Sequence, residues 1–142
     1  MINIPPGVEH DNKMRYQGQG ENSIASVPPG DLYVQITVAN HSIFKRSGTT
    51  LECAVKIDAI SAIIGTKHRI TCIDGNAVDI TIPPGTQPGS KMRILKKGMP
   101  TRSSTEFGDL IVVIELQVPL AISNEDIEIL RAMQTRRGLD SV

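Results

Sequence analysis

Apolar and polar residues alternate along several short stretches of this chain, and the alternation predicts strands. Leu32, Val34, Ile36 and Val38 are separated by Tyr33, Gln35 and Thr37, and Leu51, Cys53, Val55 and Ile57 by Glu52, Ala54 and Lys56. A period of two puts one set of side chains on each face of a sheet, so both stretches read as half-buried strands. Residues 67–73 and 77–82 flank Asp74-Gly75-Asn76, a hairpin-turn signal. Residues 92–96 and 109–118 complete the strand set, and 99–108 read as a polar loop.

Two helices are predicted. Asp58 can cap a short one through Ile64, with Gly65 as its stop. Ser123-Asn124-Glu125-Asp126 resembles a capping box with Asp in the Glu/Gln place, and Ile122 and Ile127 occupy the staple positions. Acidic residues fill the first turn of this second helix and Arg136 and Arg137 its end, as the helix dipole favours. Ile127, Leu130 and Met133 form one apolar stripe, which either packs on the chain's own sheet or meets a second copy.

An internal repeat organises these elements. Ile2-Asn3-Ile4-Pro5-Pro6-Gly7 returns 78 positions later as Ile80-Thr81-Ile82-Pro83-Pro84-Gly85. Lys13-Met14-Arg15 returns as Lys91-Met92-Arg93, and Gly30-Asp31-Leu32 as Gly108-Asp109-Leu110, at the same spacing without a gap. Between residues 2–38 and 80–116, 15 of 37 positions are identical; chance at ordinary composition gives about two or three. Residues 41–79 precede the second copy, whereas the first has no counterpart to them, so the chain is expected to open partway through a duplicated unit.

Composition narrows the function classes. The 142 residues carry 15 Lys+Arg and 15 Asp+Glu, so the net charge is zero. A nucleic-acid binder needs a basic field, and a single-strand binder needs aromatic platforms; two Tyr, two Phe and no Trp supply neither. No stretch approaches a membrane span, and the first residues lack the basic and apolar regions of a signal peptide, so a soluble, cytoplasmic chain is expected. Cys53 and Cys72 match no zinc or redox spacing. Buried thiols are the expected reading, with a disulfide between neighbouring strands as the alternative.

No catalytic constellation emerges. His10, His41 and His68 stand apart from one another and from the cysteines, and no nucleophile elbow, phosphate loop or zinc-helix motif occurs. Asp31 and Asp109 recur at the repeat spacing, which suits a structural role where a strand begins. Pro83-Pro84-Gly85 reads as turn chemistry that ends a strand. Lys91, Arg93, Lys96 and Lys97, with Lys45 and Arg46, form a basic cluster expected on a solvated face; docking of an acidic peptide tail is the alternative.

Several motifs taken together resemble a known family. Gly30-Asp31-Leu32-Tyr33-Val34, followed by His41-Ser42-Ile43-Phe44-Lys45-Arg46-Ser47-Gly48, resembles the link between the two C-terminal sandwiches of DnaJ-family co-chaperones. Asp74-Gly75, Ile82-Pro83-Pro84-Gly85-Thr86-Gln87-Pro88-Gly89, Gly98-Met99-Pro100 and Gly108-Asp109-Leu110 are similar to the second sandwich. Neither the His-Pro-Asp of a J domain nor the Cys-x-x-Cys-x-Gly-x-Gly of the family's zinc-binding region occurs.

The resemblance implies a mostly β fold: a DnaJ C-terminal-type β-sandwich with short helices, one complete unit preceded by the second half of a similar unit. Residues 1–38 correspond to the second half of the first sandwich, 39–119 to the second sandwich, and 120–142 to a C-terminal helix and tail. It also implies a role: binding unfolded or partly folded polypeptides and passing them to a DnaK-type chaperone, often as a homodimer, with no enzyme activity, cofactor, metal, nucleic acid or membrane involved. Candidate client-binding residues are Val34, Leu51, Cys53, Val55, Ile60, Ile63 and Ile64, each of which could instead serve the core. Ile127, Leu130 and Met133 are the candidate dimer contacts. The rival reading is a β-sandwich oligomerisation or assembly module without chaperone activity.

Overall fold

The computed structural model describes residues 1–138. Its strands are β1 (Lys13–Tyr16), β2 (Leu32–Gln35), β3 (Lys45–Ser47), β4 (Thr50–Asp58), β5 (Thr66–Thr71), β6 (Ala77–Ile82), β7 (Lys91–Ile94) and β8 (Leu110–Gln117). Two helices accompany them, α1 (Ala59–Ile64) and α2 (Asn124–Arg137). The fold is thus mostly β. Of the helix-and-tail segment expected over 120–142, residues 139–142 lie outside the described residues.

A four-stranded sheet in the order β3-β4-β8-β7 carries the core, and the β5–β6 hairpin faces it. Alternation in the sequence becomes a two-faced sheet. Leu51, Cys53, Val55 and Ile57 of β4 and Leu110, Val112 and Ile114 of β8 point inward, where Ile70, Cys72, Ile80 and Ile82 meet them. Strands β4 and β8 pair in parallel, with Leu51 beside Leu110, Cys53 beside Val112, Val55 beside Ile114 and Ile57 beside Leu116. That register sets apolar residue against apolar residue at every inward position. Leu110, Val112 and Ile114 are 0% exposed. Cys53 and Cys72 are buried free thiols, and burial pushes both thiols up from their ordinary value.

The repeat read from the sequence is a structural repeat. In the β1–β2 hairpin Met14 pairs with Val34 and Arg15 with Tyr33; in β7–β8 Met92 pairs with Val112 and Arg93 with Ile111. The bonds beyond the strands match as well. Ile36 N–H donates to Asn12 O at 2.9 Å and Ile114 N–H to Ser90 O at 2.8 Å. Asp31 accepts from the Arg15 guanidinium and from the Gly18 N–H at 3.0 Å. Asp109 pairs with Arg93 and accepts from the Lys96 N–H at 3.1 Å. Each aspartate therefore staples a left-handed turn residue, Gly18 at φ 68° or Lys96 at φ 60°, to the start of the following strand. This is the structural role expected of the pair.

β2 stops at Gln35, short of the alternation that runs to Val38. Its counterpart β8 continues to Gln117 because β4 pairs along its second edge; among the described residues β2 has only β1. Strand β3 was not foreseen, since three residues of Lys-Arg-Ser show no apolar alternation. Both helix caps form as predicted. Asp58 accepts from the Ile60 N–H at 2.8 Å, and Ser123 Oγ accepts from the Asp126 N–H at 3.1 Å. Gly138 closes α2 in the left-handed conformation.

Two outcomes follow. Leu110→Ala should cost about 2–5 kcal/mol, whereas Leu32→Ala, at the matching but half-buried place, should cost no more than half as much. Urea midpoints at unchanged m value measure both, and equal costs would mean the first hairpin is as closed as the second. The second outcome concerns the β5–β6 turn. Lys97 Nζ lies 2.9 Å from Asp74, and that bond is the main reason the carboxyl falls from its ordinary 3.8 to about 2. A lowered folded pKa gives stability that is present above the unfolded value, here 3.8, and lost as pH falls through about 2. Lys97→Met should return the Asp74 titration, followed by carboxyl NMR, part of the way towards 3.8 and reduce that acid-limb dependence, with the Asn76 amide bond keeping the remainder.

Candidate functional site

The seven candidate client-binding residues separate into an interior group and a surface group. Leu51, Cys53 and Val55 are buried in the core between β4, β8 and the β5–β6 hairpin. Strand β4, which carries these three candidates, spends its apolar face on the fold, and a peptide could reach it only by displacing the hairpin. Val34 is half-buried on β2, beside Met14. Ile60 is half-buried at the start of α1, while Ile63 and Ile64 at its end are 54% and 68% exposed. Helix α1 buries Ala62 against the sheet, which turns the two isoleucines outward.

Pro83-Pro84-Gly85 holds this end of α1 in place. The Gly85 N–H donates to Ala62 O at 2.9 Å and to Ile63 O at 3.2 Å, satisfying carbonyls that a helix end leaves open. The motif was read as turn chemistry alone. A capping role that joins Gly85 to Ala62 and Ile63, 23 and 22 positions earlier, leaves no local signal. Asp58 at the other end is held below its ordinary value, first by the Ser61 hydroxyl and then by the Ile60 and Ser61 amides.

A second feature, lined by both apolar and charged residues, lies where the first hairpin meets the larger unit. A cleft of about 1030 Å³ is lined by residues that include His10, Val38, His41, Phe44, Ile73 and Met99. Val38 and Ile73 are each 38% exposed. Arg46 ties its walls together: its guanidinium donates to Val8 O at 2.8 Å, Gly7 O at 3.2 Å and Gly48 O at 2.9 Å. Arg102 adds a bond to Asn12 Oδ1 at 3.2 Å. The histidines here act as acceptors. His10 Nδ1 takes the Val38 N–H at 3.1 Å, and His41 Nδ1 takes the Ile43 N–H at 3.0 Å.

The basic cluster disperses into separate structural tasks, with Arg93 on Asp109, Lys97 on Asp74 and Arg46 at the junction. Lys45, Lys91 and Lys96 are exposed, as a solvated face requires. Among the described residues no three His, Cys, Asp or Glu side chains gather as a metal site, and no helix is long and apolar enough to cross a membrane.

Helix α2 buries none of its residues. Leu130 and Met133 are half-buried, while Ile127 and Ile129 are exposed. The Ile127–Leu130–Met133 stripe is therefore partly covered, with Ile127 its exposed member. Glu125 and Asp126 sit in its first turn and Arg136 and Arg137 in its last.

Comparison with known proteins adds to this geometry. The DnaJ C terminal domain family matches residues 1–119. The chain is 38% identical over 133 residues to the chaperone protein DnaJ of Agrobacterium fabrum, covering 94% of this chain and 35% of the relative. It is 40% identical over 129 residues to the chaperone protein DnaJ of Rickettsia akari, with 91% and 35% covered. The counterpart from Rhodopseudomonas palustris (strain TIE-1) is 38% identical over 129 residues, with 91% and 34% covered. The chain spans about a third of the length of the curated relatives it matches.

The junction yields a test. Arg46→Ala removes a charged donor shared by three carbonyls, so amide exchange in β1 and β2 should quicken by about tenfold or more while β4 and β8 stay protected. Arg46→Lys should not restore the slow rate, because one ammonium cannot span the same carbonyls. Unchanged exchange in Arg46→Ala would show that the hairpin is held by other contacts.

Proposed function

The chain belongs to the DnaJ C-terminal domain family, and from that premise we propose that it binds unfolded or partly folded polypeptides as the substrate-binding part of a DnaJ-type co-chaperone. The whole protein would pass such clients to a DnaK-type chaperone in the cytoplasm. The observation that carries this reading is apolar surface left open beside a closed core. Ile63 and Ile64 project from α1, and Val38 and Ile73 line the junction cleft. An extended chain gains affinity there by removing apolar area from water, at roughly 25 cal/mol/Å² before ordering costs. No reacting group is required.

Residues 1–38, 39–119 and 120–142 would serve as a half sandwich, a full sandwich and a C-terminal contact segment. The partly exposed α2 stripe supports a homodimer through Ile127, Leu130 and Met133. Two antiparallel copies of α2 would set the acidic first turn of one against the basic last turn of the other. That same feature favours the second reading, an assembly module that keeps the sandwich only for self-association.

Light scattering of an aggregating denatured client separates the two. The chain at stoichiometric excess should suppress aggregation, and Ile63→Ser with Ile64→Ser should weaken suppression by about tenfold without changing the urea midpoint. A folded dimer that suppresses nothing would favour the assembly module.

A further inference from the structure

The chain passes from the first hairpin to the larger unit through residues 37–43, and two histidines hold this connector. Its near end is fixed at Ile36, whose N–H donates to Asn12 O at 2.9 Å and whose carbonyl accepts the Asp11 N–H at 2.8 Å. Its far end is fixed at Phe44, which is 6% exposed and belongs to the core. Between these anchors the backbone lies in no strand or helix. Every backbone hydrogen bond it makes among the described residues runs to an imidazole. Val38 N–H donates to His10 Nδ1 at 3.1 Å, and Ile43 N–H donates to His41 Nδ1 at 3.0 Å. The Phe44 N–H shares the second acceptor at 3.3 Å.

An imidazole nitrogen accepts a hydrogen bond only while it carries no proton. In this arrangement each ring is neutral, with its proton on Nε2. In the cation both nitrogens are donors, so Nδ1–H would face a backbone N–H and the bond is lost. Both rings sit at the surface, and the His10 side chain is 58% exposed, so a proton reaches them without unfolding. Histidine is the side chain that changes charge between about pH 5 and 8.

Charged neighbours approach from several directions. Asp11 Oδ2 lies 3.7 Å from His10 Nε2, where its carboxylate can pair with the cation once Nδ1 is protonated. Glu9, Lys45 and Arg46 line the same cleft as both rings, and the Arg46 guanidinium is committed to the Val8, Gly7 and Gly48 carbonyls. The β5–β6 turn and the 99–108 loop face the cleft with Ile73 and Met99, which carry no charge. The Phe44 ring lies 5.2 Å from the His41 ring, centroid to centroid.

We propose that His10 and His41 make residues 37–43 a pH-sensitive hinge. Neutral rings hold the connector, and one proton on each Nδ1 releases it. The hairpin itself stays attached, because Arg46 and Arg102 grip it through backbone carbonyls and Asn12, groups that do not titrate. Acid therefore frees the connector without opening either unit, and it loosens one wall of the cleft that both rings line. The hinge concerns the connector and not client capture, so it is tested without a client.

The test follows the full chain by NMR. At about pH 7.5 the Val38 and Ile43 amide nitrogens should each show a scalar coupling to a ring nitrogen across the N–H···N bond. By about pH 5 both couplings should have fallen about tenfold, and the order parameters of residues 38–42 should drop below about 0.6. Amides of β4 and β8 should keep their protection. His10→Asn with His41→Asn replaces each Nδ1 by an amide oxygen that accepts but does not titrate. This variant should keep the connector ordered at both pH values. His10→Asn alone should remove the response at Val38 and leave it at Ile43. No coupling at the higher pH, a connector equally ordered at both, or the same acid loosening in the double variant would overturn the hinge. So would loss of β4 and β8 protection in step with the connector, because the acid effect would then be unfolding of the whole unit.

Discussion

Parallel pairing of β4 with β8 is the interaction on which the rest of this structure depends. It sets Leu51, Cys53, Val55 and Ile57 in register with Leu110, Val112, Ile114 and Leu116. Neither strand closes a core alone. Side by side they make an apolar floor wide enough for the β5–β6 hairpin to cover with Ile70, Cys72, Ile80 and Ile82. Parallel neighbours cannot be joined by a tight turn, so a long connection must run between them. That connection contains α1, the β5–β6 hairpin and β7, and it returns to the sheet to fill its own core.

The first hairpin shows what the pairing contributes, because among the described residues it is the same unit with no strand paired to its second edge. Its turn forms, its aspartate staple forms and its cross-strand register is kept. These features are local, specified by Arg15, Gly18 and Asp31 within one stretch of chain. Burial is not kept, since it needs apolar surface from outside the hairpin. A two-stranded ribbon of this kind is marginal in water by itself. Here Arg46 and Arg102 fasten it to the larger unit through backbone carbonyls and Asn12, contacts that do not depend on a closed core.

The same division between local and distant causes explains what the sequence revealed. The caps at Asp58 and Ser123, the Asp74-Gly75 turn and the alternation of β4 and β8 are each decided within a few residues, so they were legible. The repeat was legible because two copies of one solution leave matching letters. The Arg46 junction, the capping of α1 by Gly85 and strand β3 join residues far apart or lack periodicity, and no pattern announced them. The client-binding candidates on β4 show the limit most clearly. Alternation correctly marked one face of β4 as apolar. It could not tell whether that face turns towards a client or towards Ile80 and Ile82, because both demand the same residues.

That ambiguity resolves into a constraint on where recognition can occur. A face that closes the core cannot also bind, because exposing Leu51, Cys53 and Val55 would uncover the side chains that hold the β5–β6 hairpin. Binding surface must come from positions whose exposure costs the fold nothing. Under the proposed peptide-binding reading those are the end of α1, turned outward because Ala62 takes the inward place, and the junction with the first hairpin, whose apolar face no second strand covers among the described residues. In that reading the completed unit acts as the rigid support, and recognition falls to the places where the β4–β8 arrangement ends or is not repeated among the described residues.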